Sequence, residues 1–344
     1  MPQVLYLLGD INFRGVNDAS GLFEHVGEPL RRADMVFANL ECCLYDLPGD
    51  AVERRGFYVP PAVGAALAQA GVQVAGNANN VTIGREAVMA SLAELDRLGI
   101  GHVGAGADDT QARAGLVVER AGVRYGFLQR TAVYWPDFHE AGPGQPGVAV
   151  IKGHTAYRPA LEQQAARTRP GVPPQVVTWA DPDSLQRYRQ DVADLRERAD
   201  VLVASLHWGF RREVLQYQRE FAHAAVDAGA DIVFGHGPHM ILPIETYRGR
   251  PIFYGGGNFS FQMAHHNDPH TDWVGSMLRV AIDGAGTVGE IELSFTQRNA
   301  ANQTLVRPVS ALPHERDLLL QGSLALGTSL QVRGDSLVLT PSGC

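Results

Sequence analysis

The chain contains a single lysine, Lys152, so that 28 of its 29 basic residues are arginines, set against 37 aspartates and glutamates. Its formal net charge is -8. A surface that binds nucleic acid or an anionic membrane requires clustered basic side chains in excess of acidic ones. We therefore predict that nucleic acid is not a partner of this protein.

Long apolar runs and a disulfide framework are also missing. No segment approaches the roughly 20 apolar residues that a membrane helix requires, and the start, M-P-Q-V-L-Y-L-L-G-D, lacks the regions of a signal peptide. The three cysteines are odd in number, and Cys42 is adjacent to Cys43. We predict a soluble, cytoplasmic protein without membrane insertion, whose paired cysteines are buried, reduced thiols rather than metal ligands.

Several apolar runs end in a carboxylate or an imidazole. They end at Asp10, Glu41, His207 and His236, and His239 follows three residues after the last of them. Runs of this length and composition indicate buried strands, and residues just past strand ends line the ligand crevice of an α/β sheet. If these ends converge, two carboxylates and three imidazoles meet, which predicts a metal site.

Strand-like and helix-like segments alternate from the start of the chain. Residues 4–8 and 35–38 are predicted strands, whereas 61–70, 84–98 and 216–228 show helical patterns. This alternation favours an α/β (α+β) architecture.

Residues 131–180 are rich in glycine and proline and have few periodic apolar positions. A loop of that length in a compact domain is usually functional or disordered. Because it carries aromatic residues and the histidines His139 and His154, we predict an ordered cover over the site. We find no domain boundary and predict one domain over 1–300, with 301–344 as an extension packed on it.

Six short motifs occur in one order along the chain: G-D, N-L-E, A-N-N, S-L-H-W-G, G-H-G-P-H and Y-G-G-G-N-F-S-F. Together they resemble the CapA family of capsule-synthesis proteins, which is similar to calcineurin-like metallophosphatases, over roughly residues 4–261. The resemblance implies a four-layer sandwich in which two mixed β-sheets pack face to face, flanked by helices, with metal ions at the sheet ends.

The resemblance also implies a ligand set in which Glu41 bridges two ions. Carboxylate, amide and imidazole ligands suit two divalent ions such as Mn, Fe or Zn, which would activate water and clamp a substrate oxygen. Two such ions outweigh two carboxylates in charge, so an anionic substrate is expected. Taken singly, each ligand candidate also has a structural interpretation, for example as a helix cap, a turn former or a packed histidine. The implied metal ligands are Asp10, Glu41, Asn80, His207, His236 and His239.

The sequence departs from the family after A-N-N, where Val81 and Gly84 replace a histidine and the aspartate that holds it. In the wider superfamily that histidine is thought to protonate the leaving group. Two hypotheses stay open. Either His139 or His154 is the acid, with Arg130 available to hold charge, or the leaving group needs little protonation and the reaction includes amide or ester hydrolysis.

These observations predict a metal-dependent hydrolase that acts on an anionic small molecule, either a phosphoester or a glutamyl-type amide. Asn39 and Asn258 are predicted to contact the substrate. Two alternatives are a role in poly-γ-glutamate capsule biosynthesis and a noncatalytic metal-binding scaffold. Three further histidines, His265, His266 and His270, are interpreted as part of a solvated loop rather than as a peripheral metal site.

Overall fold

Two mixed β-sheets form the centre of the molecule in a computed structural model of the chain, which describes residues 2–16, 18–159, 171–262 and 273–341. Strands are numbered along the chain. The first sheet consists of β1 (Gln3–Asn12), β2 (Met35–Leu40), β5 (Val74–Gly76), β6 (Gly101–Val103), β17 (Asn258–Phe261), β18 (Gly275–Ile282), β19 (Val288–Arg298), β20 (Thr304–Arg307), β21 (Gln331–Arg333) and β22 (Ser336–Leu339). The second consists of β8 (Leu116–Arg120), β9 (Val123–Thr131), β13 (Val201–His207), β14 (Ile232–His236), β15 (Ile244–Tyr247) and β16 (Arg250–Phe253).

Short strand pairs and helices surround these sheets. The pairs are β3 (Cys43–Leu44) with β4 (Tyr58–Val59), β7 (Ala105–Gly106) with β10 (Gly147–Val148), and β11 (Gly153–Arg158) with β12 (Gln175–Ala180). The α-helices among the described residues are α1 (Gly27–Arg31), α2 (Ala65–Ala70), α3 (Arg85–Arg97), α4 (Asp109–Arg113), α5 (Pro182–Arg196), α6 (Gln216–Asp227) and α7 (Pro313–Ala325), and 3-10 turns lie at Pro61–Gly64 and Val309–Ala311. None of the described helices has both the length and the apolarity that a membrane span requires.

Side-chain alternation along the strands divides the interior into layers. Leu5 and Leu7 of β1 belong to a core shared by the two sheets, in which the rings of Phe37 and Phe127 stack with centroids 5.4 Å apart. Leu8 belongs instead to an outer core that packs the first sheet against α2 and α3. A third core packs the second sheet against α5 and α6 through Tyr188, Val192, Leu195, Phe221, Ala222 and Ala225. The helix, sheet, sheet, helix order confirms the predicted four-layer sandwich.

The predicted elements near the site also form. The strand predictions at 4–8 and 35–38 lie inside β1 and β2, and the helix predicted at 84–98 is α3. The pattern at 61–70 forms a 3-10 turn that continues into α2, and the last of the predicted helices is α6. Strong hydrophobic periodicity therefore gave the correct element type throughout this set.

Parallel pairing carries the functional residues to one edge. In the first sheet β1, β2 and β5 run parallel, and in the second β9, β13 and β14 do. His207 at the end of β13 pairs in register with Thr131 on one side and His236 on the other. Asp10 pairs with Asn258 of β17. Parallel strands end at the same edge of a sheet, so the polar residues at their carboxyl ends meet there.

The C-terminal residues extend the first sheet rather than forming a separate body. β20 and β22 both pair with β19, and β21 pairs with β22. The main-chain N–H of Ile244 donates to Ser323 Oγ on α7, at 3.0 Å. The described part of 301–344 thus packs on the same body, while the division at residue 300 stays a prediction.

The close approach of β1 to the segment before β17 requires a glycine at position 9, and Gly9→Ala tests this contact. A Cβ on Gly9 would collide with the carbonyl oxygens of Gly256 and Gly257. We expect Gly9→Ala to reduce the free energy of unfolding by about 1–3 kcal/mol, the usual cost of overpacking. Urea unfolding measures it, with Gly49→Ala as the control because a Cβ there meets open space. Equal midpoints for the two variants would contradict the assignment.

Candidate metal centre

Two carboxylates lie side by side beneath the surface at the carboxyl edge of the first sheet. Asp10 is 0% exposed and Glu41 is 1% exposed. The amide nitrogen of Asn39 joins them, since it donates to Asp10 Oδ1 at 2.8 Å and to Glu41 Oε1 at 3.2 Å. Buried charges of one sign repel each other strongly, so this pair needs positive charge close by.

His207 presents a lone pair to Glu41. Thr131 Oγ1 donates its one hydrogen to the Val133 carbonyl, at 2.9 Å, and lies 3.0 Å from His207 Nδ1. Because the hydroxyl hydrogen is used, the Thr131 oxygen is an acceptor, which favours the tautomer with the proton on Nδ1. In that tautomer Nε2 is an acceptor; it is buried without a hydrogen bond and lies 3.2 Å from Glu41 Oε1. A cation between Nε2 and Oε1 would satisfy both atoms.

The other two histidines are held in the same way. His236 Nδ1 donates to Asp10 Oδ1 at 2.8 Å, which leaves Nε2 buried without a partner. His239 Nδ1 donates to Asn258 Oδ1 at 2.9 Å. The backbone of His239 is left-handed, with φ 58°, two residues after Gly237 at φ 107°. A histidine in that region is a strained placement of the kind that functional sites retain.

The donor set fits a bound divalent ion. Asp10, Glu41 and His239 each offer one ligand atom, and these atoms lie within 4.8 Å of one another. Asp10 Oδ2 is buried with no hydrogen bond, as are the Nε2 atoms of His207 and His236. An acceptor buried without a partner costs about 1–3 kcal/mol, so three such atoms on the ligand candidates indicate that a partner binds there. Carboxylate and imidazole donors are those that Mn, Fe and Zn accept.

The pKa values of this cluster reflect the mutual stabilisation of its charges. Burial alone would raise the pKa of Asp10, but the hydrogen bond from His236 and the charge of His239, whose Nδ1 lies 3.5 Å from Asp10 Oδ2, hold it far below its usual range. Burial alone would lower the pKa of His239, but the carboxylates of Glu41 and Asp10 raise it to about 9. In the absence of a metal ion, a proton on His239 therefore supplies positive charge to the two carboxylates.

Asn80, the sixth implied ligand, lies in the turn after β5. Asn79 ties that turn to the first sheet by donating from Nδ2 to the Leu40 carbonyl, at 2.8 Å, one residue before Glu41. The indole N–H of Trp135 donates to the Asn80 carbonyl, at 3.1 Å. The side-chain amide of Asn80 makes no hydrogen bond to any described residue and is half-buried. No described residue therefore competes for this amide as a ligand.

Asn39 and Asn258, predicted as substrate contacts, are buried groups that hold the ligands instead. Asn39 is 0% exposed, and its Oδ1 accepts from Gln129 Nε2 at 2.9 Å. Asn258 is 3% exposed and bonds His239. Through these hydrogen bonds both side chains position metal-ligand candidates. Neither side chain is open to a substrate from the surface.

A set of polar residues that we did not select from the sequence supports the cluster from behind. Gln129 Nε2 donates to Asn39 and also to Ser205 Oγ at 3.1 Å, while its Oε1 accepts from the Ala78 N–H at 2.6 Å. Thr131 orients His207. Gln129, Thr131 and Ser205 are fully buried, and polar side chains inside otherwise apolar strands were the available signal.

His139 ties the cover to the turn that carries Asn80. Its Nδ1 accepts from the Trp135 N–H at 3.0 Å, and its Nε2 donates to the Thr82 carbonyl at 3.1 Å. Burial lowers the pKa of His139 to about 4. His139 is thus neutral at pH 7 with both nitrogens bonded to the main chain, which fits a structural role and not the proposed acid.

The structure does not bring His154 or Arg130 into the cluster. His154 lies on the exposed β11, where its Nε2 is 3.0 Å from Asp181 Oδ2. Arg130 alternates with Gln129 and Thr131 along β9, so it points to the opposite face of that strand. There its guanidinium pairs with Asp191 at 2.7 Å. The catalytic roles expected for both residues do not fit these positions.

Cys42 and Cys43 are free and fully buried, as expected. Burial raises the pKa of Cys42 to about 12 and that of Cys43 still further. Because metal coordination requires the thiolate, these values oppose a ligand role at neutral pH. His265, His266 and His270 lie outside the described residues, so their interpretation stays a prediction.

Thr131→Val tests the orientation of His207. Without the hydroxyl, His207 Nδ1 loses its acceptor, and neither the ring orientation nor the position of its proton is fixed. We expect metal affinity to fall by about 10–100-fold, the range for residues that orient a ligand. Competition with a chelator measures the affinity. Thr131→Ser, which keeps the hydroxyl, is the matched control and should bind nearly as well as the parent protein. Equal weakening by both changes would instead indicate a packing effect.

Metal binding should release a proton from His239. Its pKa of about 9 means that the ring is protonated at pH 7 without metal, whereas a ligand histidine is neutral. Apparent affinity should therefore rise as pH increases from 7 towards 9, by up to about tenfold per unit. Calorimetry of Mn²⁺ binding in buffers of different ionisation enthalpy measures the released proton. A binding enthalpy independent of buffer would refute it.

Comparison with known proteins places the chain among capsule-synthesis proteins. A probable polyglutamine synthesis accessory protein of Mycobacterium tuberculosis is 33% identical over 189 residues, 53% of this chain and 43% of that protein. The PGA biosynthesis protein CapA of Bacillus subtilis is 40% identical over 99 residues, 28% and 24% of the two chains. An uncharacterized protein of Sinorhizobium fredii is 28% identical over 282 residues, 70% of this chain. The match covers 61% of that relative, less than two thirds of its length.

Among solved structures, a phosphatase of Mycoplasma pneumoniae superposes with a TM-score of 0.46 and 12% identity, covering 89% of this chain and 91% of that one. The family model described as bacterial capsule synthesis protein PGA_cap matches residues 5–263, which is most of the chain. The match confirms the CapA resemblance of the sequence motifs. The chain therefore belongs to the bacterial capsule synthesis protein family PGA_cap.

Proposed function

We propose that this protein is a metal-dependent hydrolase with a dinuclear centre that activates water. The observation that carries the proposal is the buried His207 Nε2, which has no hydrogen bond and lies 3.2 Å from Glu41 Oε1. A cation between the two atoms would satisfy both. Because Asp10, Glu41 and His239 offer ligand atoms within 4.8 Å of one another beside it, we infer that this cation is a metal ion.

The ligands would be Asp10, Glu41, Asn80, His207, His236 and His239. Bound divalent ions would supply a Lewis acid for a substrate oxygen and a lower pKa for water. The chain's own residues prepare this chemistry. Asn39 keeps both carboxylates in place, and acceptors on Thr131, Asp10 and Asn258 fix the three imidazole rings. Burial of the cluster strengthens each electrostatic contact in it.

The charge of the loaded site favours an anionic substrate. Two divalent ions bring four positive charges, whereas the ligand set contains two carboxylates, and the imidazoles and the amide are neutral as ligands. The surplus of two positive charges lies in a largely water-free position, where it attracts anions strongly. We propose a phosphoester or a glutamyl-type amide as the substrate.

The replacement of the family's histidine by Val81 also limits the class of substrate that we propose. Val81 is buried and apolar, Gly84 has a φ of 98°, and burial keeps His139 neutral. General acid catalysis typically contributes 10²–10⁴-fold when a donor is in place. Its loss matters least where the leaving group is already a stable anion. We therefore infer that substrates with acidic leaving groups are preferred.

His207→Ala and His236→Ala test the proposal directly. We expect purified protein to contain close to two equivalents of Mn, Fe or Zn and each variant to lose more than about 100-fold in activity, beyond the range for residues that only orient a ligand. Metal analysis and kcat/KM on phosphoesters and γ-glutamyl amides are the measurements. The matched control is His25→Ala, a surface histidine whose Nε2 bonds Gln303. Metal-free protein with unchanged variants would refute the metal centre.

A series of aryl phosphates with graded leaving-group pKa tests the missing acid. Rates should fall steeply as the leaving-group pKa rises, because the enzyme supplies little proton transfer. A flat series with a group titrating near neutral pH would reveal an acid that this proposal does not contain.

A role in capsule or polyglutamate synthesis is the second candidate, favoured by family membership and by the naming of the Mycobacterium tuberculosis and Bacillus subtilis relatives. Turnover of γ-glutamyl amides but not phosphoesters would favour it. Bound metal without turnover on either class would favour a noncatalytic scaffold. The cytoplasmic location predicted from the sequence stays a prediction.

A further inference from the structure

A cavity lies behind strand β9, on the face opposite the metal centre, and forms a second polar site. Its volume is about 230 Å³, and its inner end is formed by Arg113, Arg130, Tyr188 and Asp191. Arg130 lies between Gln129 and Thr131, the two residues of this strand that support the metal ligands. Because strand side chains alternate, one strand serves the metal centre with two residues and the second cavity with the residue between them.

Arg130 is buried in this cavity with unused hydrogen-bond donors. It is 1% exposed. Its Nη2 donates to Asp191 and to the Arg113 carbonyl, both at 2.7 Å, and its Nη1 donates to the Gln129 carbonyl at 2.8 Å. Of the five N–H groups of a guanidinium, two are left without an acceptor among the described residues. Charged donors at the wall of a cavity can bind an acceptor that enters it.

Tyr188 adds a second unpartnered group. Its ring packs edge-on against Phe221, with centroids 5.7 Å apart, and its hydroxyl is buried without a hydrogen bond. Buried tyrosine hydroxyls normally have a partner. The charge of Arg130 acts on this hydroxyl and opposes the rise in its pKa that burial causes. The hydroxyl and the free guanidinium donors thus share one end of the cavity.

The inner end carries one unbalanced positive charge. Arg113 and Arg130 share the single carboxylate of Asp191, at 2.5 and 2.7 Å. The mouth is different. Lys152 there pairs with Glu140, and the remaining mouth charges are Asp181, Asp183 and Arg187, which sum to -1. The site is positive inside and slightly negative outside, which suits a small anionic head and disfavours a large polyanion.

We propose that this cavity binds a small ligand with an oxyanion head, a carboxylate or a phosphate, which accepts from Arg130 and from the Tyr188 hydroxyl. The two kinds of head share the chemistry that the inner end requires: negative oxygen acceptors for guanidinium donors. The site is separate from the metal centre and does not depend on the function proposed above.

Calorimetric titration of the full chain with inorganic phosphate and with acetate tests the proposal and distinguishes the two heads. We expect one of them to bind with a Kd below about 10 mM, and citrate to bind more weakly because of the negative mouth. Tyr188→Phe should weaken binding about tenfold, the effect of one hydrogen bond to a charged acceptor. This variant removes a hydroxyl that has no protein partner, so the fold is retained.

Three further variants separate the two sites. His236→Ala disables the metal centre and should leave binding in the cavity unchanged. Arg130→Lys keeps the positive charge but removes the unused guanidinium donors, and should weaken binding as Tyr188→Phe does. Tyr125→Phe, a buried tyrosine that bonds Gln3 far from the cavity, is the matched control and should have no effect. Binding that is lost in His236→Ala but kept in Tyr188→Phe, or no binding of either anion, would overturn the proposal and leave a cavity that holds only water.

Discussion

The architecture depends on two carboxylates that lie next to each other out of contact with water. Each buried ion carries a desolvation penalty of several kcal/mol, and two of one sign add their repulsion. Asp10 and Glu41 are held by one asparagine amide and surrounded by imidazoles whose Nδ1 atoms are already committed. The protein's own groups orient this pair but compensate its charge only in part, through the proton on His239. Bound cations would compensate the rest, so polar burial at this edge indicates a binding site rather than a stabilising contact.

The strands determine what this edge can support. Parallel neighbours deliver their last residues to one place, and His207 and His236 meet because β13 and β14 are in register. Because side chains alternate along a strand, neighbouring residues of one strand face different sites. On β9, Gln129 and Thr131 reach the cluster, whereas Arg130 points into a different cavity. A single strand therefore links two polar sites that share no side chain.

Trp135 and His139 hold the turn at Asn80 by its main chain. Trp135 donates to the Asn80 carbonyl and His139 to the Thr82 carbonyl. Holding the turn in this way needs a neutral, fully bonded histidine. The same contacts that hold His139 in place make it unavailable for proton transfer.

By itself, the sequence determined the layers and the ligand candidates. Hydrophobic period identified β1, β2, α3 and α6, and polar residues at strand ends identified Asp10, Glu41, His207, His236 and His239, because both signals are local and repeat along the chain. The tertiary structure alone decided which polar groups share a space. Asn39 and Asn258 are buried and hold the ligand candidates, His139 bonds the main chain, and Arg130 lines another cavity. The sequence could not decide this, because the face and depth of a side chain depend on packing partners far away in sequence. Gln129 and Thr131 were found in the same way, because their partners, Asn39 and His207, are 90 and 76 residues distant along the chain.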